Sequence, residues 1–367
     1  MNILYVTTIG STMGFFREWI KNLIDAGNVV DIACNFEVKG VPECYKEWGC
    51  KIFSLSCVRS PFSKKNLTAI KEIKKLVEEN GYEIVHCHTP IAAVCTRFAC
   101  INERKKGTKV FYTAHGFHFY KGAPMLNWMV FYPVEKFCSR FTDKLITINK
   151  EDFELAKTKF HAKEVHYIPG VGVDLSRFEN VQVDRNEKRR EIGVPEDAVL
   201  LFSVGELNEN KNHQIIVKAL AKLDNPNIHY AIAGVGDKKD YLLNLAKELG
   251  VSEQLHLLGY RKDIPELNHC ADIFCFPSKR EGLGIAAIEA MACGLPIITS
   301  NVHGINDYSM NGVTGFKFDP NKVNDCCNAV SLALNCNKEQ MAEFNKEYVK
   351  KYSVDKIIGK MKNIYES

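Results

Sequence analysis

The feature that most restricts what this chain can fold into is a repeated alternation of short apolar runs with longer amphipathic stretches. Ile3-Leu4-Tyr5-Val6 leads into a helical spacing through Phe16, Trp19, Ile20, Leu23 and Ile24. Gly27 closes that stretch, and Val29-Val30-Asp31-Ile32-Ala33 opens the next run. Lys51-Ile52-Phe53-Ser54-Leu55 follows, then a predicted helix over roughly 66–80 that Asn80-Gly81 ends. Ile84-Val85-His86-Cys87, Lys109-Val110-Phe111-Tyr112-Thr113 and Lys144-Leu145-Ile146-Thr147-Ile148 continue the series. Runs of this length suit buried strands, and the stretches between them carry helical periodicity. Strand, helix, strand in repetition gives βαβ units and a parallel sheet.

The pattern lapses around 169–198. Pro169-Gly170-Val171-Gly172 is turn chemistry and 179–191 is highly charged, so the linker is expected here. Alternation restarts at Val199–Val204 and recurs at Tyr230–Ala233, Leu255–Leu258, Ile273–Phe276 and Pro296–Thr299. The expected architecture is therefore α/β, with two Rossmann-like domains built on parallel sheets, 1–172 and 173–353. A chain of 367 residues buries ample core for two domains. Ligands bind beyond the carboxyl ends of strands in such sheets, and two facing domains make one cleft.

Charge and cysteine usage narrow the function classes. The net charge of +4 does not point to nucleic acid. Residues 1–180 hold 25 Lys+Arg against 19 Asp+Glu, or +6, which leaves −2 for the remainder. The basic half suits an anionic partner, and scatter over two domains explains it equally well. Fourteen cysteines include no C-x-x-C, and Cys34 and Cys275 lie in apolar runs as small core residues. Met1–Val6 reads as a strand rather than a secretory leader, and no 18-residue apolar run is present. A reducing cytoplasm is the expected location.

The segment Ser278–Pro296 concentrates the chemistry. It follows a strand and opens a helix near Ala286. Gly282 and Gly284 leave backbone amides open, and a helix start adds a positive dipole end that suits a phosphate or carboxylate. Glu281 lies before the helix and Glu289 inside it, so two carboxylates can reach hydroxyls at two distances from one phosphate. Ordinary acidic residues on a capped surface helix would look the same.

Read in full, the segment is S-x-x-E-G-x-G-x-x-x-x-E-A-M-A-C-G-x-P. This resembles the signature of the retaining glycosyltransferases with two facing Rossmann-like domains, the GT-B fold. The matching group is family 4, which contains sucrose synthases and bacterial cell-surface sugar transferases. The resemblance spans nearly the whole chain. It implies that Glu281 contacts the donor sugar's hydroxyls, that the amides of Gly282, Leu283, Gly284, Ile285 and Ala286 hold sugar and phosphate, and that Glu289 takes the ribose hydroxyls. Val204-Gly205-Glu206 through Lys211 resembles the family's G-R-L segment and its Lys. Lys211 is kept, but Glu206 stands at the Arg position. A carboxylate there would oppose a diphosphate, so Glu206 either points away, paired with a cation, or another cation such as Arg280 or Lys279 substitutes. Gly234 lies in the family's strand-then-Gly turn, and Arg261 in the segment whose backbone reads the nucleobase edge.

In the first half, Gly10-Ser11-Thr12-Met13-Gly14 joins strand to helix without the G-x-G-x-x-G of dinucleotide sites. In the family this loop, with Gly14, approaches the donor phosphates. His115 follows a strand and precedes Gly116, and it resembles the family's active-site His. His86-Cys87-His88 offers two metal-type ligands with no third partner in view. No D-x-D occurs, so the resemblance implies that helix dipole and cations replace a metal, with no cofactor; the nucleotide-sugar is a substrate.

Met125–Pro133 is rich in large apolar groups, with Lys121, Lys136 and Arg140 nearby, and a second basic segment runs from Arg59 to Lys75. Aromatics with flanking cations suit a membrane interface. A buried helix beside a solvated basic face would have the same composition. A helix over 354–366 is expected to return to the first domain. The expected function is retaining transfer of a sugar from a UDP-hexose or UDP-N-acetylhexosamine to a saccharide acceptor, free or lipid-linked, in surface polysaccharide synthesis at the inner membrane face. The competing readings are a nucleotide-sugar epimerase on the same fold and a non-catalytic sugar-nucleotide-binding subunit.

Overall fold

The alternation along the sequence becomes two sheets in which every strand pairing is parallel. The computed structural model describes residues 1–37 and 40–367. In the first sheet the strands are β1 (Asn2–Ile9), β2 (Val29–Asn35), β3 (Ile52–Ser54), β4 (Ile84–His88), β5 (Lys109–Ala114), β6 (Lys144–Thr147) and β7 (Glu164–Tyr167). They lie in the order 3-2-1-4-5-6-7. The second sheet comprises β8 (Val199–Val204), β9 (Ile228–Ala233), β10 (Leu255–Gly259), β11 (Ile273–Phe276), β12 (Ile297–Ser300) and β13 (Gly315–Phe318), ordered 10-9-8-11-12-13. Both orders are Rossmann-like, with switch points between β1 and β4 and between β8 and β11.

The chain separates into one unit of Met1–Gly172 with Val354–Ser367 and another of Val173–Ser353. Strand interiors are buried on both faces, as parallel sheets covered by helices require: Ile3, Leu4, Tyr5 and Val6 are fully buried, as are Cys34 and Cys275. The helix Val354–Glu366 joins the first unit through polar contacts as well as apolar ones. The Tyr365 hydroxyl lies 2.6 Å from the Tyr5 hydroxyl and 2.5 Å from His86 Nδ1. Buried Lys144 donates from Nζ to the Ile364 carbonyl at 2.7 Å.

The charged stretch 179–191 is not the linker it resembles in sequence. Residues Arg185–Glu191 form a helix that Asp184 caps by accepting from the Asn186 and Glu187 amides. Arg189 is 1% exposed and donates to the carbonyls of Cys270, Glu196 and Ala198 and to Asp272 Oδ2. Composition cannot distinguish a solvated cation from one whose donors are all met inside.

Asp143 anchors the β5–β6 edge in the same manner. Its carboxylate accepts from Arg104 Nε and Nη2 and from the Val110 amide, each at 2.8 Å, and pairs with Lys163 at 2.7 Å. Burial raises its pKa, but the Arg104 and Lys163 hydrogen bonds outweigh burial and hold it at about 2. A depressed carboxylate stabilises the fold above its unfolded pKa, and that contribution is lost as pH falls through the folded value. Asp143→Asn should therefore cost about 2 kcal/mol at pH 7 in urea unfolding, with the deficit shrinking between about pH 4 and pH 2. A deficit independent of pH would mean that packing, not charge, is responsible.

Candidate functional site

In the second unit the loops after β8 and β11 meet at the switch point and are laced together. The Lys279 amide donates to the Asn210 carbonyl at 2.8 Å, and Asn210 Nδ2 returns a bond to the Arg280 carbonyl at 3.0 Å. Asn212 Nδ2 reaches the Pro277 carbonyl at 3.2 Å. These bonds bring Lys211 Nζ to 2.6 Å from Glu281 Oε1 and 5.1 Å from the Phe276 ring centre. Both partners of this pair are only partly accessible, at 23% and 16%.

Two glycines permit the approach. A Cβ on Gly234 would lie 1.8 Å from the Gly205 carbonyl oxygen, and one on Gly205 would press on the Lys211 stem at 3.3 Å. The turns after β8 and β9 thus touch backbone to backbone under the lysine. Gly284 is required for a different reason. Its φ of +88° and the Phe276 ring, 2.3 Å from a hypothetical Cβ, both exclude a side chain. It opens the helix Ile285–Ala292, whose start has no side-chain cap. First-turn amides without a cap are the groups that bind anions. Gly282 and Ile285 and Ala286 line this half-exposed turn, while Leu283 is buried beneath it. Glu289 lies in the same helix; burial raises its pKa, and Arg177 opposes the rise.

Other residues singled out from sequence are held differently. Glu206 is exposed and accepts from Asn208 Nδ2 at 2.9 Å, so it pairs with an amide rather than a cation. Lys279 pairs with Glu209. Arg280 has no ion-pair partner among the described residues. The Arg261 guanidinium is held by Asp263, at 2.8 Å from Nε, and by Glu191, at 2.5 Å from Nη2. Tyr308 was not visible to sequence reasoning. Its hydroxyl is buried with no hydrogen-bond partner among the described residues and would sit 3.1 Å from a Cβ on Gly284.

In the first unit, Gly14 lies exposed in the 3-10 turn Gly10–Phe16, and no neighbour requires it to be glycine. His115, just beyond β5, approaches His88 with 3.1 Å between His115 Nε2 and His88 Nδ1. Burial lowers the His115 pKa to about 4, so its imidazole is neutral at pH 7 and acts as a hydrogen-bonding group, not a charge. His88 stacks on Phe16 with ring centres 4.1 Å apart. His86 contacts Tyr365 and, through Nε2 at 2.8 Å, Thr113 Oγ1. Alternation along β4 places His86 and His88 on one face. That signal was present in H-x-H, where it denotes support beneath His115.

A family described as Glycosyl transferases group 1 matches residues 184–351, and one described as Glycosyl transferase 4-like matches residues 2–149. EpsD of Bacillus subtilis, described as a glycosyltransferase, is 39% identical over 322 residues, covering 86% of this chain and 82% of that one. The Escherichia coli UDP-Gal:alpha-D-GlcNAc-diphosphoundecaprenol alpha-1,3-galactosyltransferase is 28% identical over 325 residues, covering 82% and 81%. Among solved structures, Anabaena HepE in complex with UDP superposes with a TM-score of 0.82 over the full length of both chains at 19% identity.

Proposed function

The chain belongs to the group 1 glycosyltransferases, GT-B enzymes of family 4, and on that premise we propose that it transfers a hexose or N-acetylhexosamine from a UDP-sugar to a saccharide carried on a lipid diphosphate. The observation that carries the reading is the Lys211–Glu281 pair at the β8–β11 switch point, beside the uncapped start of Ile285–Ala292. Departure of a diphosphate builds negative charge, and stabilising that charge is the main task of such a site. Lys211 and the amides around Gly284 answer it from one side. Glu281 would take the sugar hydroxyls and Glu289 the ribose hydroxyls. His115 would bond the donor sugar as a neutral imidazole. The acceptor hydroxyl would attack on the face from which the diphosphate leaves and lose its proton to that phosphate, which retains configuration. In this reading no divalent ion takes part.

One relative and one structural neighbour support the choice of donor and acceptor: the E. coli enzyme is named for UDP-Gal and an alpha-D-GlcNAc-diphosphoundecaprenol acceptor, and HepE has been crystallised with UDP and glucose. The test is nucleotide release from a panel of UDP-, GDP- and ADP-sugars with a chelator present, with and without a bacterial lipid extract. UDP release that the extract stimulates and the chelator leaves unchanged is expected. Nucleotide binding without release from any donor would overturn transfer in favour of the epimerase or the binding subunit. Activity lost to the chelator and restored by a divalent ion would overturn the metal-free reading.

A further inference from the structure

The helix Met125–Cys138 is apolar on its outer face as well as its inner one, where Trp128, Phe131 and Tyr132 pack on the core of the first unit. Met125, Leu126, Met129, Val130, Pro133, Val134 and Phe137 follow the spacing of one helical face, and all seven are exposed, Met125 by 74% and Met129 by 69%. Its most buried residues are Glu135, at 6% exposure, and Cys138. Burial as the sole fate of this segment, one of the two readings open in the sequence, is therefore excluded. The orientation is locked from inside. Glu135 Oε2 lies 2.8 Å from Arg97 Nη2, and Arg97 is 1% exposed, with its guanidinium 4.5 Å from the Tyr112 ring centre. Rotating the apolar face inward would pull that carboxylate away from a buried cation.

The exposed face continues into an apolar groove of about 470 Å³ lined by Phe62, Leu67, Ile70, Ile91, Val94 and Phe98. Phe62 is 89% exposed and Leu67 63%. Lys64 lines this groove, and Arg59, Lys65 and Lys71 lie close to it in sequence, with Lys136 and Arg140 at the end of the helix and just beyond it. None has an ion-pair partner among the described residues, whereas Lys74 and Lys75 farther along pair with Glu78 and Glu79. Continuous apolar surface of this extent marks an interaction site. The charge decides between occupants. An isologous dimer through this face would bring the same cations against each other. An anionic lipid surface satisfies both the apolar face and its positive border.

We propose that this face seats the protein on an anionic bilayer, with the Met125–Cys138 helix lying in the interface plane and Phe62 and Leu67 inserted beside it. The inference goes beyond the transfer reaction and is tested without donor or acceptor, so its failure and that of the transferase reading are separable. Co-sedimentation with phosphatidylglycerol–phosphatidylethanolamine vesicles is the measurement, with phosphatidylcholine vesicles as the neutral reference. The protein should pellet with the anionic vesicles and remain largely in solution with the neutral ones. Phe62→Ser/Met125→Gln/Met129→Gln should weaken partitioning at least about tenfold. Lys64→Glu/Lys65→Glu should weaken it by a similar factor and flatten its dependence on salt. All five positions are exposed, so unchanged circular dichroism and unchanged UDP affinity serve as controls for the fold. Wild-type protein that stays in solution with anionic vesicles would overturn the proposal, as would variants that bind like wild type. A wild-type dimer that becomes monomeric in the Met129→Gln variant would assign the face to self-association instead.

Discussion

Glu281→Ala is expected to lower turnover by about two to three orders of magnitude while leaving the melting temperature nearly unchanged. The carboxylate and its partner, the Lys211 ammonium, are both partly accessible, so water can reach the space and the cation that its removal leaves. What it removes is the group that fixes both the proposed sugar contact and the position of the cation meant for the diphosphate. Glu281→Gln separates these two roles. The amide keeps the shape and still bonds hydroxyls, but it no longer competes for the positive charge of Lys211. UDP should then bind more tightly than to wild type while turnover falls. Calorimetry with UDP and a coupled release assay read the two quantities independently. If Glu281→Ala, correctly folded, keeps near-wild-type turnover, Glu281 does not have its assigned role. If Glu281→Gln binds UDP more weakly, Lys211 is not shared between carboxylate and phosphate.

The largest effect on stability should come from a residue far from that chemistry. Removing one partner of a buried ion pair strands the other charge and costs about 3–5 kcal/mol. Glu135→Ala should fall in that range in urea unfolding, because Arg97 would remain buried with its Nε bonded to the Ala93 carbonyl and no carboxylate nearby. Replacing both charges by apolar groups of similar volume, Arg97→Met/Glu135→Leu, should recover much of the loss. The exposed pair Lys74–Glu78 provides the contrast, with about 0.5 kcal/mol expected from its removal. A loss below about 1 kcal/mol in Glu135→Ala would show that water reaches Arg97.

The strands were legible because parallel strands buried on both faces are written as short, nearly continuous apolar runs. Ile273–Phe276 and Ile297–Ser300 could hardly be read otherwise. The segment around Glu281 and Glu289 was legible through its resemblance to the family signature, and Gly284 is the position where backbone φ and the Phe276 ring exclude a side chain. Three features were not. The helix Arg185–Glu191 looked like linker because nothing local reveals that Arg189 meets acceptors 81 and 83 residues away, on Cys270 and Asp272. The Met125–Cys138 stretch reads as apolar throughout, and distant partners, Arg97 for Glu135 and the core for Trp128, Phe131 and Tyr132, determine which face turns outward. The contact of Tyr365 with His86 joins positions 279 residues apart and leaves no local signature. In each case the missing information is a long-range partner for a polar group.

The hydroxyl–hydroxyl bond between Tyr5 and Tyr365 spans 360 positions of sequence. It therefore bears on the order in which the molecule assembles. The segment Val173–Ser353 is continuous and holds all its own strands, so it can complete its packing as soon as it leaves the ribosome. The β1–β7 sheet emerges earlier but stays unfinished, with Tyr5, His86 and Lys144 lacking their final partners until residues 364 and 365 arrive. The part synthesised first is then the last to close. Loop-closure entropy rises only slowly with the length of the intervening chain, so the delay costs little in equilibrium stability and mainly affects rate. Nascent chains stalled before residue 354 would present a protease-resistant second unit behind a first unit that is still open to cleavage.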